Sequence, residues 1–242
     1  MTPTIAIVDP SLVMSVPGFI AADTGMDVLT HATEAYVSQM ANDFTDGLAL
    51  QAIKIVFENL ERSVKDADFE SREKLHNAST MAGMAFANAF LGMSHSMAHK
   101  IGGVHHTVHG RTNAILLPYV IRYNGTRPSK TATWPKYNYW KADEKFQDIA
   151  RLLGLPASTP EEAVASYAKA VYDLGVAVGI KMNFKDQGID EKEWKDSLHE
   201  IALLAYEDQC SPANPRLPLV ADMEEIMSDA YYGYEERPGR LK

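Results

Sequence analysis

Residues 43–60 read DFTDGLALQAIKIVFENL. Leu48, Leu50, Ile53, Ile55, Val56 and Leu60 keep the spacing of one helical face rather than the alternation of a strand, and Asp43 stands where an N-cap belongs. The same period continues on either side. Upstream it predicts a helix over 22–37, with Met26, Leu29, Thr30 and Thr33 on one side. Downstream it predicts a helix over 70–91. The second half of that helix, 78–91, is so crowded with Ala, Gly, Met and Phe that burial all round is expected, with Gly83, Ala85 and Ala87 as packing positions. A shorter helical segment starts at His95 and is expected to stop at Gly102-Gly103. Another begins just after His109-Gly110 and runs through Ala114, Ile115, Leu116 and Leu117.

Residues 124–139, rich in Pro, Thr, Lys and aromatics, read as a surface loop. Helices follow over 143–153, 160–178, 191–206 and 223–231. That over 160–178 has Thr159 as its cap, Pro160 in its first position and Glu161-Glu162 in its first turn. Only Thr4 to Val8, β-branched and closed by Asp9-Pro10, reads as a strand. The expected class is therefore all-α, a bundle-like helical domain with one short N-terminal strand. No glycine-rich turn joins a strand to a helix, so the sequence shows no dinucleotide cradle.

Composition narrows the function. With 46% hydrophobic and 23% charged residues among 242, the chain can bury a sizeable core. A net charge of -9 argues against nucleic acid as the main partner. Absence of a signal-like N-terminus or a long apolar run leads us to expect a soluble, cytoplasmic protein with no membrane segment. The one cysteine, Cys210, excludes an internal disulfide and reads as a packed thiol.

Chemistry concentrates in the histidines, five of the eight lying between 95 and 109. Asp27 and His31 are one helical turn apart, as are His95 and His99, so each pair leaves one face of its helix. A single Asp–His pair is more often a surface pair than a chelate. Histidines beside so apolar a helix, however, require polar partners or a metal. His109 stands where a helix begins, a place that disfavours a protonated imidazole and suits a neutral, metal-bound one. An Asp and several His from three helices point to a divalent ion. Without cysteine ligands a thiolate zinc site is excluded, and Fe(II), Zn(II), Co(II) and Ni(II) remain open. His76 and His199 read as surface residues.

The segment GMDVLTHATEAY (25–36), together with HSMAHKIG (95–102), His109-Gly110 and NAILLP (113–118), resembles the two signatures of the iron-dependent (group III) alcohol dehydrogenases. Towards the C-terminus EDQC (207–210), ANPR (213–216) and DAYYG (229–233) resemble the end of the bifunctional aldehyde-alcohol dehydrogenases. The resemblance covers nearly the whole chain. It implies a dehydroquinate synthase-like C-terminal half, with Asp27, His31, His95 and His109 as metal ligands and His99 beside substrate and nicotinamide as the catalytic candidate. Val108 stands where the family usually has proline. His105 and His106 then fall in the cleft wall.

By the same resemblance, residues 1–20 are a residual inter-domain strand and linker and 21–242 the metal-binding catalytic domain, the NAD-binding domain being absent from this chain. The implied activity is NAD(H)-dependent interconversion of acetaldehyde or other short aldehydes with ethanol or the matching alcohol, as in ethanol fermentation. Fe(2+) is the implied ion and Zn(2+) a possible substitute. The implied partners are the missing aldehyde dehydrogenase and NAD-binding domains and further copies in a homo-oligomer. Alone, the chain is expected to lack NAD affinity and activity. Two other readings stay open: a metal-stabilised helical assembly module without catalysis, and a metal-dependent hydrolase using Glu34 as base.

Overall fold

The computed structural model describes residues 4–128 and 140–233. Among these it forms nine α-helices and no strand: α1 (Gly18–Val37), α2 (Asp43–Lys65), α3 (Phe69–Ala89), α4 (Met93–His105), α5 (His109–Gly125), α6 (Ala142–Leu152), α7 (Pro160–Ala177), α8 (Glu191–Tyr206) and α9 (Val220–Tyr232).

The expected strand is a correction. Residues 4–9 are irregular and run into a 3-10 turn, Pro10–Val13. A β-branched run becomes a strand only with an edge to pair with. No such edge exists among the described residues, and Ile5 and Ile7 stand 79% and 87% exposed. Arg72, buried on α3, secures the segment that follows by donating to the carbonyls of Val13 (3.3 Å) and Val16 (2.8 Å).

Helix boundaries follow local capping chemistry. Asn42, not Asp43, caps α2: its side chain accepts from the N–H groups of Phe44 and Thr45, and Thr45 Oγ1 accepts from Asn42 N at 2.9 Å. Asp43 instead lies in the first turn, where its charge complements the helix dipole. Thr159 caps α7 as expected, accepting from Glu162 N at 3.2 Å. Helix α4 does not stop at Gly102-Gly103; it runs on to His105 and ends at His106 in the left-handed region (φ 54°). Glycine permits termination but does not impose it, and histidine tolerates the left-handed cap better than most residues. The 124–139 loop starts later than expected because α5 continues to Gly125; residues 129–139 lie outside the described residues.

Two hydrophobic cores meet at α5. One lies between α1, α2, α3, α6 and α7, the other between α4, α8 and α9. Ala114, Leu117 and Ile121 of α5 enter the first core, while Ile115, Leu116, Tyr119 and Val120 enter the second. Helix α5 thus presents apolar side chains to both cores. The expectation that the second half of α3 is buried all round is corrected: between 78 and 91 only Ala78, Ala82, Ala85 and Ala89 are buried, a one-sided stripe of small residues facing α1 and α2. Met84 and Ala87 face out, and nothing lies within 4 Å of a Cβ added at Gly83. No described helix is long and apolar enough to cross a membrane.

Candidate metal centre

Three helices converge on one point. Helix α1 contributes Asp27 and His31, α4 contributes His95, and α5 contributes its first residue, His109. One ligand atom from each lies within 4.8 Å of the others. Asp27 is the hub: its carboxylate lies 3.7 Å from His31 Nδ1, 3.7 Å from His95 Nε2 and 3.5 Å from His109 Nε2. Tetrahedral bonds of the usual length to a first-row ion separate ligand atoms by roughly 3.4 Å. The four atoms therefore already stand close to a chelating arrangement.

Close helix packing sets this convergence. A Cβ on Gly110 would fall 2.2 Å from the backbone oxygen of Asp23. The missing side chain lets α5 press against α1 and brings His109 to Asp27. Arg111 locks the same crossing with a bidentate ion pair to Asp23 (3.0 and 2.9 Å).

A second layer holds the ligands in place. Glu34, buried, accepts at 2.6 Å from His95 Nδ1 and also from the backbone N–H groups of Gly92 (3.0 Å) and Ser94 (2.7 Å) at the start of α4. A carboxylate at Nδ1 puts that ring's proton there and leaves Nε2 as a lone pair. His95 Nε2 is buried with no hydrogen-bond partner. Such an orphan is costly unless something else meets it, and it points into the Asp27–His31–His109 cluster. The donor set therefore fits a divalent metal ion. Asn113 completes the layer: its amide donates to Asp27 Oδ1 at 2.9 Å and lies 3.2 Å from His109 Nε2.

Burial, and next the neighbouring His95, push the His31 imidazole down to about 4. Burial likewise lowers His109. Both rings therefore stay neutral near pH 7, the form that binds metal.

The remaining candidates separate clearly. His99, one turn beyond His95, stacks on His109 with centroids 5.4 Å apart and planes 13° apart, and its Nδ1 meets Asp208 at 3.2 Å. His105 turns aside to Ser197 Oγ (2.9 Å) and stacks on Trp194. With His106 it lines a separate cleft of about 380 Å³ beside Arg111, Gln187 and Glu193. His76 is half-buried, and His199 is exposed and paired with Glu224. The hydrolase reading loses its base, because Glu34 is buried and its oxygens are committed to His95, Gly92 and Ser94.

His99, Asp208 and Cys210 also bring donor atoms together. The Lys100 ammonium already neutralises Asp208 at 2.8 Å, and burial pushes the Cys210 thiol up to about 12. That group is an ion-pair cluster beside a packed thiol, unsuited to a cation.

Three residues of this architecture escape the reading of ligand types alone. Glu34 continues the series Asp27, His31 at helical spacing, and Asn113 lies one turn beyond His109, so periodicity could have found both. Asp208 has no such local signal.

The chain is similar to known proteins over its whole length. The family described as "Fe-containing alcohol dehydrogenase family, C-terminal" matches residues 21–231. The aldehyde-alcohol dehydrogenase of Streptococcus pneumoniae serotype 2 is 81% identical over all 242 residues, which span 27% of that protein. The bifunctional aldehyde-alcohol dehydrogenase of Escherichia coli K12 is 41% identical over 96% of this chain and 27% of its own length. The iron-containing alcohol dehydrogenase of Thermococcus thioreducens superposes with a TM-score of 0.82 at 35% identity, over 96% of this chain and 56% of that one. With a helical fold, a three-histidine, one-aspartate cluster and this likeness all in agreement, the chain belongs to the iron-containing alcohol dehydrogenase family and carries its C-terminal domain.

Proposed function

We propose that this chain is the metal- and substrate-binding part of an NAD(H)-dependent alcohol dehydrogenase that interconverts short aldehydes, acetaldehyde first among them, with their alcohols. The observation that carries the proposal is the buried, unpartnered Nε2 of His95 facing Asp27, His31 and His109. These four residues would hold iron(II), with zinc(II) able to replace it. When bound, the ion supplies Lewis acidity toward the alcohol or aldehyde oxygen, while the nicotinamide carries the hydride.

The protein's own residues do the rest. Glu34 and Asn113 fix the directions of His95 and Asp27. His99, beside His109 and partly open to solvent, orients the substrate oxygen and exchanges the hydroxyl proton at Nε2. The nucleotide would come from a preceding domain of a longer bifunctional enzyme, a reading supported by the 27% share that the chain spans of its bacterial relatives. In this reading residues 1–20 join the two parts, 21–242 form the metal-binding catalytic domain, and the enzyme works as a homo-oligomer in the cytoplasm. No observation favours the non-catalytic assembly module.

The test pairs metal analysis with an assay of NADH oxidation by acetaldehyde in a protein that includes the nucleotide-binding part. About one divalent ion per chain, with both ion and activity lost in His95→Ala, is expected. Activity that persists after the metal is gone would overturn the proposal.

A further inference from the structure

His95 and His99 leave the same face of α4 one turn apart, and each presents Nδ1 to a carboxylate from elsewhere in the chain: Glu34 for His95, Asp208 for His99. The first pairing serves the metal ligands. The second lies outside the four ligands and joins two separately quoted segments, His99 of HSMAHKIG (95–102) and Asp208 of EDQC (207–210). Asp208 sits just beyond the end of α8 and is buried. Its Oδ1 accepts from Cys210 N (3.0 Å), and its Oδ2 receives both Lys100 Nζ (2.8 Å) and His99 Nδ1 (3.2 Å). Its own N–H is fixed to Ala205 O (3.2 Å). A carboxylate held from this many directions cannot turn away from the imidazole. Nε2 of His99, in contrast, makes no hydrogen bond among the described residues and is not sealed off as the Nε2 of His95 is.

We propose that Asp208 is the positioning residue for His99: it holds the Nδ1–H tautomer and the ring plane parallel to His109, so that Nε2 is offered as an acceptor beside the metal cluster. A free imidazole distributes its proton between both nitrogens and rotates about χ2; a fixed acceptor at Nδ1 removes both freedoms. Burial raises the Asp208 carboxyl, but Lys100, the Cys210 N–H and His99 together bring it below its ordinary value, so the acceptor is charged. This rests on the reading of His99 under the proposed function, and the experiments separate the two.

The tautomer is read directly by long-range 1H–15N NMR on the histidine-labelled chain with zinc, which is diamagnetic. His99 is expected as Nδ1–H in the wild type and to shift toward Nε2–H or an exchanging mixture in Asp208→Ala. Lys100→Gln, which removes the ammonium and keeps the carboxylate, is expected to retain Nδ1–H. In the full-length enzyme, Asp208→Ala is expected to lower kcat about 10- to 100-fold with KM changing far less, and Asp208→Glu to recover part of the loss. An unchanged tautomer in Asp208→Ala would overturn the proposal, as would unchanged kcat beside a lowered melting temperature, which marks a tie between α4 and α8 and nothing more. Full activity in His99→Gln would instead remove the reading of His99 and leave the tautomer result standing.

Discussion

Glu34 and His95 share a 2.6 Å hydrogen bond with both side chains buried, and the same carboxylate caps the start of α4 through Gly92 and Ser94. One anion therefore sets the helix's position and the direction of a ligand on it. Glu34→Gln keeps the shape and removes the charge. It is expected to weaken metal binding about 10- to 100-fold and to cost roughly 1–3 kcal/mol of stability. Titration with a competing chelator and a denaturant melt measure the two effects; unaltered affinity would show that Glu34 serves the helix alone.

His95 and His109 differ in surroundings, the first buried and the second exposed at the mouth of the cluster. Both His95→Ala and His109→Ala should drop metal content from about one ion per chain toward zero. His95→Ala should also lower the melting temperature of the metal-free chain by more, because it takes from buried Glu34 one of its three donors. Elemental analysis and calorimetry on the two variants check the order.

The acid response follows from His31. It titrates near 6.5 in the unfolded chain and near about 4 in the fold. Between those values the unfolded chain binds the extra proton, so stability is complete above about 6.5 and is lost as pH falls toward 4. Metal-free protein should lose up to roughly 3 kcal/mol across that window. His31→Gln should flatten the curve; a melt series with equal slopes in both proteins would contradict the assignment.

Gly110 lets α5 approach α1, and its replacement has nowhere to go, since the added Cβ meets backbone rather than a movable side chain. Gly110→Ala should cost about 1–3 kcal/mol and, by moving His109 away from Asp27, reduce metal affinity as well. A variant that loses stability but binds metal normally would show that His109 is placed by something other than this crossing.

Much of this architecture is legible in the residues themselves, for identifiable physical reasons. Asp27, His31, His95 and His109 belong to motifs whose helical spacing survives folding unchanged. Helices with strong caps, such as that following Thr159, have ends that local chemistry decides. Strand pairing is not local, so Thr4 to Val8 promises a strand that finds no edge. Burial is not local either: the small, apolar second half of α3 reads as interior, yet it buries one stripe, and only the arrangement of the other helices sets α5 against both cores. Asp208 is 109 positions from His99 and lies in a turn, where no periodicity announces a partner.

Because α5 contributes side chains to both hydrophobic cores, neither half of the domain can open without stripping one side of it. Its central amides should be the slowest to exchange with solvent, opening only with the whole domain. Since His109 is the first residue of that helix, metal loading would tighten the element on which both halves depend. A chelator should thus speed exchange on the α8–α9 side as well as beside the ligands, and the chain should melt in one transition with or without its ion.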